Sequence, residues 1–481
     1  ETPSPLREVA PSVPENVEKV IMRCLAKEPK DRYKSALDVK LAFAGKEAGD
    51  SAGFDQFEGT IADATIMDAP VAPQKKRSKA GLVVALAFLV LAGAGYFGWK
   101  FYKKPADDKQ TATAPKQTAT APKQTATAPK QTSRPMAPVK PGAMFRGGVS
   151  RSGFYKGAGG LGKLSGLKWK FKTEDSVLSS PAFAGGVVYF GSDDGGLYAV
   201  ALKSGRRKWR FATRGRILSS PTIAGDAVFF GSDDNNFYSV YAATGKLKWE
   251  YKTEGKLFSS PAIAGSTVFF GSGDGSLYAL DARTGSRKWK FKTGGGIESS
   301  PAVAGSVVYF GSYDEYFYAV DAVTGKMKWK FKTGDAVASS PAIDGSRLYF
   351  GSDDGHLYAL DVQTGKLKWK YKTGDWIRSS PAFAYGSVFF GGKDGFMYAL
   401  EAKNGKRKWR FEADDSLLSS PSVAGKAVYI GSDDGKLYAV DAMTGAKKWD
   451  YDSGSPVFSS PALVGSTVIF GSQDDGLLVL Q

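Results

Sequence analysis

The chain has 481 residues, 42% of them apolar and 13% aromatic, which is too long for one ordinary domain and apolar enough for large cores. One cysteine, Cys24, excludes a disulfide framework and a multi-cysteine metal site, and one histidine, His356, argues against His-rich zinc chemistry and a Ser-His-Asp triad. The net charge of +17 is uneven: residues 75–140 carry +11, whereas 169–481 carry only +5, so nucleic acid is not an expected partner of the C-terminal region.

Residues 1–45 predict two short helices. Val17, Val20, Ile21 and Leu25 fall at helical spacing up to Glu28-Pro29, and Ser35 starts a second run with Ala36, Val39, Leu41 and Ala42. The stretch from Cys24 to Ala36, CLAKEPKDRYKSA, is similar to the CLxKxPxxRxxSA signature that ends the C-lobe of serine/threonine protein kinases. The resemblance implies that Arg32 pairs structurally with a glutamate following the activation loop. That glutamate, the Gly-rich loop, the ATP-contacting lysine, the catalytic loop and the magnesium aspartate do not occur in these 481 residues, so no phosphate transfer is expected of them.

Residues 46–79 are polar, Ala- and Asp-rich, and predict a disordered juxtamembrane linker. Thr60-Ile61-Ala62-Asp63 and Thr65-Ile66-Met67-Asp68 repeat a Thr-x-x-Asp pattern. It resembles the phosphothreonine motif read by forkhead-associated domains, which implies a phosphothreonine-binding partner at Thr60 and Thr65; accidental repetition in a linker produces the same pattern.

Residues 80–99 carry no charge, and at about 1.5 Å per residue they reach roughly 30 Å, the thickness of a bilayer core. Tyr96 and Trp99 lie where an interfacial aromatic belt falls. A single transmembrane helix is predicted. Both flanks are basic, but Lys75, Lys76, Arg77 and Lys79 form the denser cluster, which places the N-terminal side in the cytoplasm. Residues 100–143 follow as a low-complexity stalk, with KQTATAP beginning at Lys109, Lys116 and Lys123 and a fourth copy at Lys130. A proline every seven residues forbids a helix.

From Trp169 the sequence repeats with period 40. Trp recurs at Trp169, Trp209, Trp249, Trp289, Trp329, Trp369, Trp409 and Trp449, Ser-Ser-Pro ends at Pro181 and every fortieth residue to Pro461, and an Asp recurs from Asp194 to Asp474. Each unit reads as four short strands: in one copy around 299–303, 306–310, 317–321 and 326–331, with turns at Gly305, Asp314 and Thr324-Gly325. The fourth alternates lysine with apolar residues, as in Lys328-Trp329-Lys330-Phe331, which suits a charged outer edge. A mainly β fold follows: an eight-bladed β-propeller over 144–481. The last unit ends at Gln481 after three strands, and Lys168-Trp169-Lys170-Phe171 is a spare fourth strand that closes the ring.

Leu277–Trp289, LYALDARTGSRKW, is similar to the AxDxxTGxxxW docking motif of the pyrroloquinoline-quinone-type (PQQ-like) propeller repeat. The resemblance implies that all eight tryptophans are structural and stack between blades. Asp281 is not uniform, since Ala201, Tyr241 and Glu401 replace it, and Met144-Phe145-Arg146-Gly147-Gly148 resembles the segment leading into such propellers. Quinone-dependent dehydrogenases hold their cofactor and a calcium ion with blade-specific residues, and alcohol-oxidising members use a vicinal cysteine pair. No cysteine lies in these repeats, and Asp-Asp-Gly at Asp193, Asp353 and Asp433 sits in hairpin turns that favour those residues for backbone reasons. No catalytic residue, metal or cofactor is expected.

A binding module fits better, its specificity lying where copies depart from the repeat. Trp376 and Arg378 stand in a fourth-to-first-strand loop; Tyr313, Glu315 and Tyr316 occupy one second-to-third-strand turn, and His356, Lys393 and Phe396 the next two. These eight residues form a candidate binding face for an envelope ligand or protein; drift of surface turns is the competing account. The combined resemblances imply the C-terminal part of a bacterial receptor-like, single-pass membrane serine/threonine kinase, with the N-terminus cytoplasmic and the propeller periplasmic or extracellular. The alternative is a protein-interaction scaffold resembling the outer-membrane assembly lipoprotein propeller.

Overall fold

The computed structural model describes Lys19, Met22, Arg23 and residues 145–148, 150–474 and 476–481. The chain divides into two units, 1–125 and 126–481. In the first, Lys19, Met22 and Arg23 are helical. The expectations placed on Arg32, Thr60, Thr65, the apolar run 80–99 and the stalk lie outside the described residues. Among the described residues no helix is long and apolar enough to cross a membrane.

The second unit holds eight four-stranded antiparallel sheets. Blade 1 comprises β2 (Ala182–Ala184), β3 (Val187–Gly191), β4 (Gly196–Ala201) and β5 (Arg207–Ala212). Blades 2 to 7 repeat it over residues 222–252, 262–292, 302–332, 342–372, 382–412 and 422–452, and carry β6 to β29 in the same order. Blade 8 takes β30 (Ala462–Val464), β31 (Thr467–Ser472) and β32 (Gly476–Leu480) from the end of the chain and β1 (Leu167–Phe171) from its beginning. Trp169 pairs with Val479 and Phe171 with Leu477, so the expected closure is present. The structure moves the expected strand edges by one to three residues: the fourth strand of blade 4 is Met327–Lys332, and its first is Ala302–Ala304 because Ser299 and Ser300 belong to the turn before it.

Burial explains why each strand reads as it does. The two middle strands are covered on both faces by neighbouring blades and are continuously apolar, as in Val187–Gly191. The fourth is covered on one face only and alternates, with its charged residues exposed. The core is therefore a set of inter-blade layers. One joins Ala302, Tyr309 and Phe317 of blade 4 to Val337, Leu348, Phe350 and Tyr358 of the next repeat. Another joins Val188, Phe190 and Tyr198 to Ile469, Leu477 and Val479 across the closure.

The first strands stand around one axis, each beside the next, with β30 beside β2. A lead-in segment crosses three of them. Its Ser150 carbonyl accepts from Ile343 N (3.1 Å), its Ser152 carbonyl from Phe383 N (2.7 Å), and its Gly153 carbonyl from Val423 N (2.8 Å). It begins with a 3-10 turn at Phe145–Gly147, in which Arg146 takes a left-handed φ of 59°.

Candidate functional site

The repeated residues first account for themselves as architecture. Seven of the eight tryptophans donate Nε1–H to a backbone carbonyl, as Trp209 does to Ala242 of the next blade at 3.0 Å. Trp449 uses Leu161 of the lead-in instead, at 2.9 Å. The recurrent Asp is also spoken for. Asp354 Oδ1 accepts His356 N (2.9 Å), and its Oδ2 accepts Tyr358 Oη–H (2.6 Å) and Gly334 N (2.8 Å). One carboxylate thus ties a turn, the third strand and the incoming loop.

The departures from the repeat meet where each second-to-third-strand turn touches the loop from the previous blade. Lys393 N donates to the Trp376 carbonyl at 3.0 Å, and Tyr313 N to Gly296 at 2.9 Å. Both loops face the same end of the propeller, as expected. Trp376 is 38% exposed. Two cations stand over its ring, Lys393 Nζ 4.2 Å and Arg378 Cζ 4.7 Å from the centroid. Arg378 is anchored to Asp353, Nη2 to Oδ2 at 2.8 Å and Nε to both oxygens at 3.2 Å, and that bond raises its pKa. Next to it, Tyr313 Oη–H donates to Glu298 at 2.7 Å. Burial first, and the Glu298 carboxylate second, push the Tyr313 phenol well above its ordinary range.

Four of the eight expected face residues, Tyr313, Trp376, Arg378 and Lys393, therefore form one network. The other four lean on their own blades. Tyr316 lies under Lys330 Nζ at 4.0 Å, Phe396 under Arg410 Cζ at 4.3 Å, His356 Nδ1 is 3.3 Å from Asp354, and Glu315, at φ 69°, faces Lys332 Nζ at 3.6 Å. Position drives the split: His356, Tyr316 and Phe396 start the third strand, where side chains rest against the fourth. Sequence reasoning missed Glu298 and Asp353. A signal existed for Glu298, because it and Arg378 are the charged residues at a position otherwise held by Leu178, Leu218, Phe258, Ala338, Leu418 and Phe458.

The family model described as "Outer membrane protein assembly factor BamB" matches residues 164–290, 252–376 and 374–481. The chain belongs to this family. No curated protein sequence matches it. Among solved structures, BamB from Moraxella catarrhalis is similar at 18% identity and TM-score 0.58, covering 66% of this chain and 97% of that one. The computationally designed Ika8 protein is similar at 18% and 0.59, over 65% of this chain and 99% of that one. The quinohemoprotein alcohol dehydrogenase of Comamonas testosteroni is similar at 16% and 0.63, over 71% and 80%. At these identities the likeness establishes the propeller fold alone.

The residues present do not fit a quinone–calcium centre. Among the described residues no three His, Cys, Asp or Glu side chains converge. Of the Asp-Asp-Gly turns, Asp353 is committed to Arg378 and Asp193 lies 3.8 Å from Arg216.

Proposed function

We propose that the propeller is a protein-binding module whose docking surface centres on Trp376. The observation that carries this reading is the exposed Trp376 ring with its two cation contacts. Where the other repeats place Ser176, Arg216, Lys256, Gly296, Ala336, Ser416 and Pro456, this one holds an exposed indole against Lys393 and an Arg378 fixed by Asp353. A large aromatic already held in one orientation loses little freedom on binding, which is the property of an interface anchor.

The sequence before the propeller supports the following place for the module. The apolar run 80–99 is a single membrane span, the KQTATAP repeats are a stalk, and Cys24–Ala36 is the end of a kinase C-lobe. On this reading the propeller is the exported sensor of a single-pass serine/threonine kinase. It reports an envelope ligand or protein, and Thr60 and Thr65 in the linker offer a phosphothreonine-binding partner its site. The family match favours a second reading, a scaffold that binds proteins and signals nothing.

The test for docking is capture of envelope proteins on the full chain, comparing wild type with Trp376→Ala. Loss of a specific captured protein supports the surface, and unchanged capture removes it. Fusing the chain to an intact kinase domain separates the two readings. Autophosphorylation that depends on the propeller supports the sensor, and equal activity with and without it favours the scaffold.

A further inference from the structure

The eight Ser-Ser-Pro motifs build a closed hydrogen-bonded ring. The backbone N–H of each second serine donates to the Oγ of its counterpart forty residues on: Ser180 to Ser220, Ser220 to Ser260, and so around, at 2.9–3.2 Å. Ser460 donates to Ser180 and closes the circuit. These hydroxyls only accept within the ring. Among the described residues none has an acceptor for its own proton, so eight O–H donors remain. The second serines keep 4–8% exposure, whereas the first serines of the motif, Ser179 and its equivalents, keep 0–1%. The second serines therefore keep some exposure where the motifs lead into the first strands around the axis.

Two arginines of the lead-in reach carbonyls of the same Ser-Ser-Pro motifs. Arg151 gives Nε–H to Pro301 (2.6 Å) and Nη2–H to Ser260 (2.7 Å), and Arg146 gives Nη2–H to Pro381 (2.5 Å). Both side chains are 1% exposed. Among the described residues neither has a carboxylate partner, and Arg146 Nε and Nη1 have no acceptor at all. Burial, joined at Arg151 by the charge of Arg146, lowers both pKa values to about 9, still above neutral pH. Buried like charges without a counter-ion are unfavourable, and natural interiors compensate them.

We propose that the axis of the propeller, between the serine ring and the Arg146–Arg151 pair, binds a small oxyanion, a phosphate or a carboxylate. Arg146 Nε and Nη1 and the unused serine protons are its donors. The ligand neutralises the pair and satisfies groups that the protein leaves open. The site is distinct from the Trp376 surface, which is built from the loops at one end.

The test is thermal unfolding of the full chain in inorganic phosphate and in citrate, each against chloride at matched ionic strength. A saturable rise in midpoint of roughly 5 °C with either anion is expected, and the more effective anion identifies the class. Arg146→Gln abolishes the rise. No rise in wild type, or an undiminished rise in Arg146→Gln, overturns the site. Should Arg146→Gln not fold, equilibrium dialysis of labelled phosphate on wild type decides. One equivalent per chain of phosphate or, in a parallel dialysis, of labelled citrate supports the proposal, and binding of neither refutes it.

Discussion

The backbone N–H of Ser460 donates to Ser180 Oγ at 2.9 Å, joining residues 280 positions apart. That bond exists because β1 pairs with β32. The outer edge of β32 presents Leu477, Leu478, Val479 and Leu480, all buried. Without β1 this apolar strand is an open edge. Deleting residues 167–171 should therefore yield aggregates or exchanged dimers by size-exclusion chromatography. Phe171→Ala is milder. The ring packs edge-on against Phe190 and Tyr198 at 5.9 and 5.5 Å, and its loss should cost about 2–3 kcal/mol in denaturant unfolding. Exposed Lys172→Ala should change stability by about 0.5 kcal/mol or less.

Blade docking makes a sharper prediction at Gly365. Its φ of 68° is left-handed, and a Cβ there would sit 2.6 Å from Cδ2 and Cε3 of Trp329. Gly365→Ala should therefore combine backbone strain with a clash, destabilising by about 2–4 kcal/mol. Gly345, φ 100°, has open space around its missing Cβ. Gly345→Ala should show strain alone, about 1–2 kcal/mol. Equal losses would mean that Trp329 does not pack tightly on the next blade.

The architecture was legible because a repeat multiplies a weak signal. Eight in-phase tryptophans and a missing fourth strand define the blades and their closure, and local pattern sets the strand edges to within three residues. The arginine pair was not legible. Arg146 and Arg151 reach carbonyls at Pro381, Pro301 and Ser260, between 109 and 235 residues away, and a carbonyl acceptor leaves no mark on composition. The candidate face was half legible. Departure from the repeat flagged Trp376 and Arg378, but whether a turn residue joins them depends on register. Lys393 sits at the loop contact and Phe396, three residues on, lies against Arg410.

The recurrent Asp–Tyr pair offers a measurement of coupling. Tyr358 Oη–H donates to Asp354 Oδ2 at 2.6 Å, and hydrogen bonds lower the Asp354 pKa against the opposing effect of its burial. Tyr358→Phe removes one bond and should cost about 1 kcal/mol. Asp354→Ala also strands Gly334 N–H and His356 N–H and should cost about 2–3 kcal/mol. The double variant should fall short of the sum by about 1 kcal/mol in urea unfolding. Strict additivity would show that the bond contributes nothing.

Asp433 should set a pH dependence of the opposite sign to the usual carboxylate. Burial, and then the neighbouring Asp415 and Asp434, raise its pKa from 3.8 to about 6, and its Oδ1 is buried with no hydrogen-bond partner. Between pH 4 and 6 the folded chain holds a proton that the unfolded chain has released. This group's contribution therefore favours the fold at low pH and is lost as pH rises through 6. Asp433→Asn mimics the protonated form at every pH. It should stabilise the protein at pH 7 by up to about 1 kcal/mol, allowing for solvent screening, and the gain should vanish by pH 4. Thermal unfolding of both proteins across that range checks it, and a gain that grows on acidification would reverse the assignment.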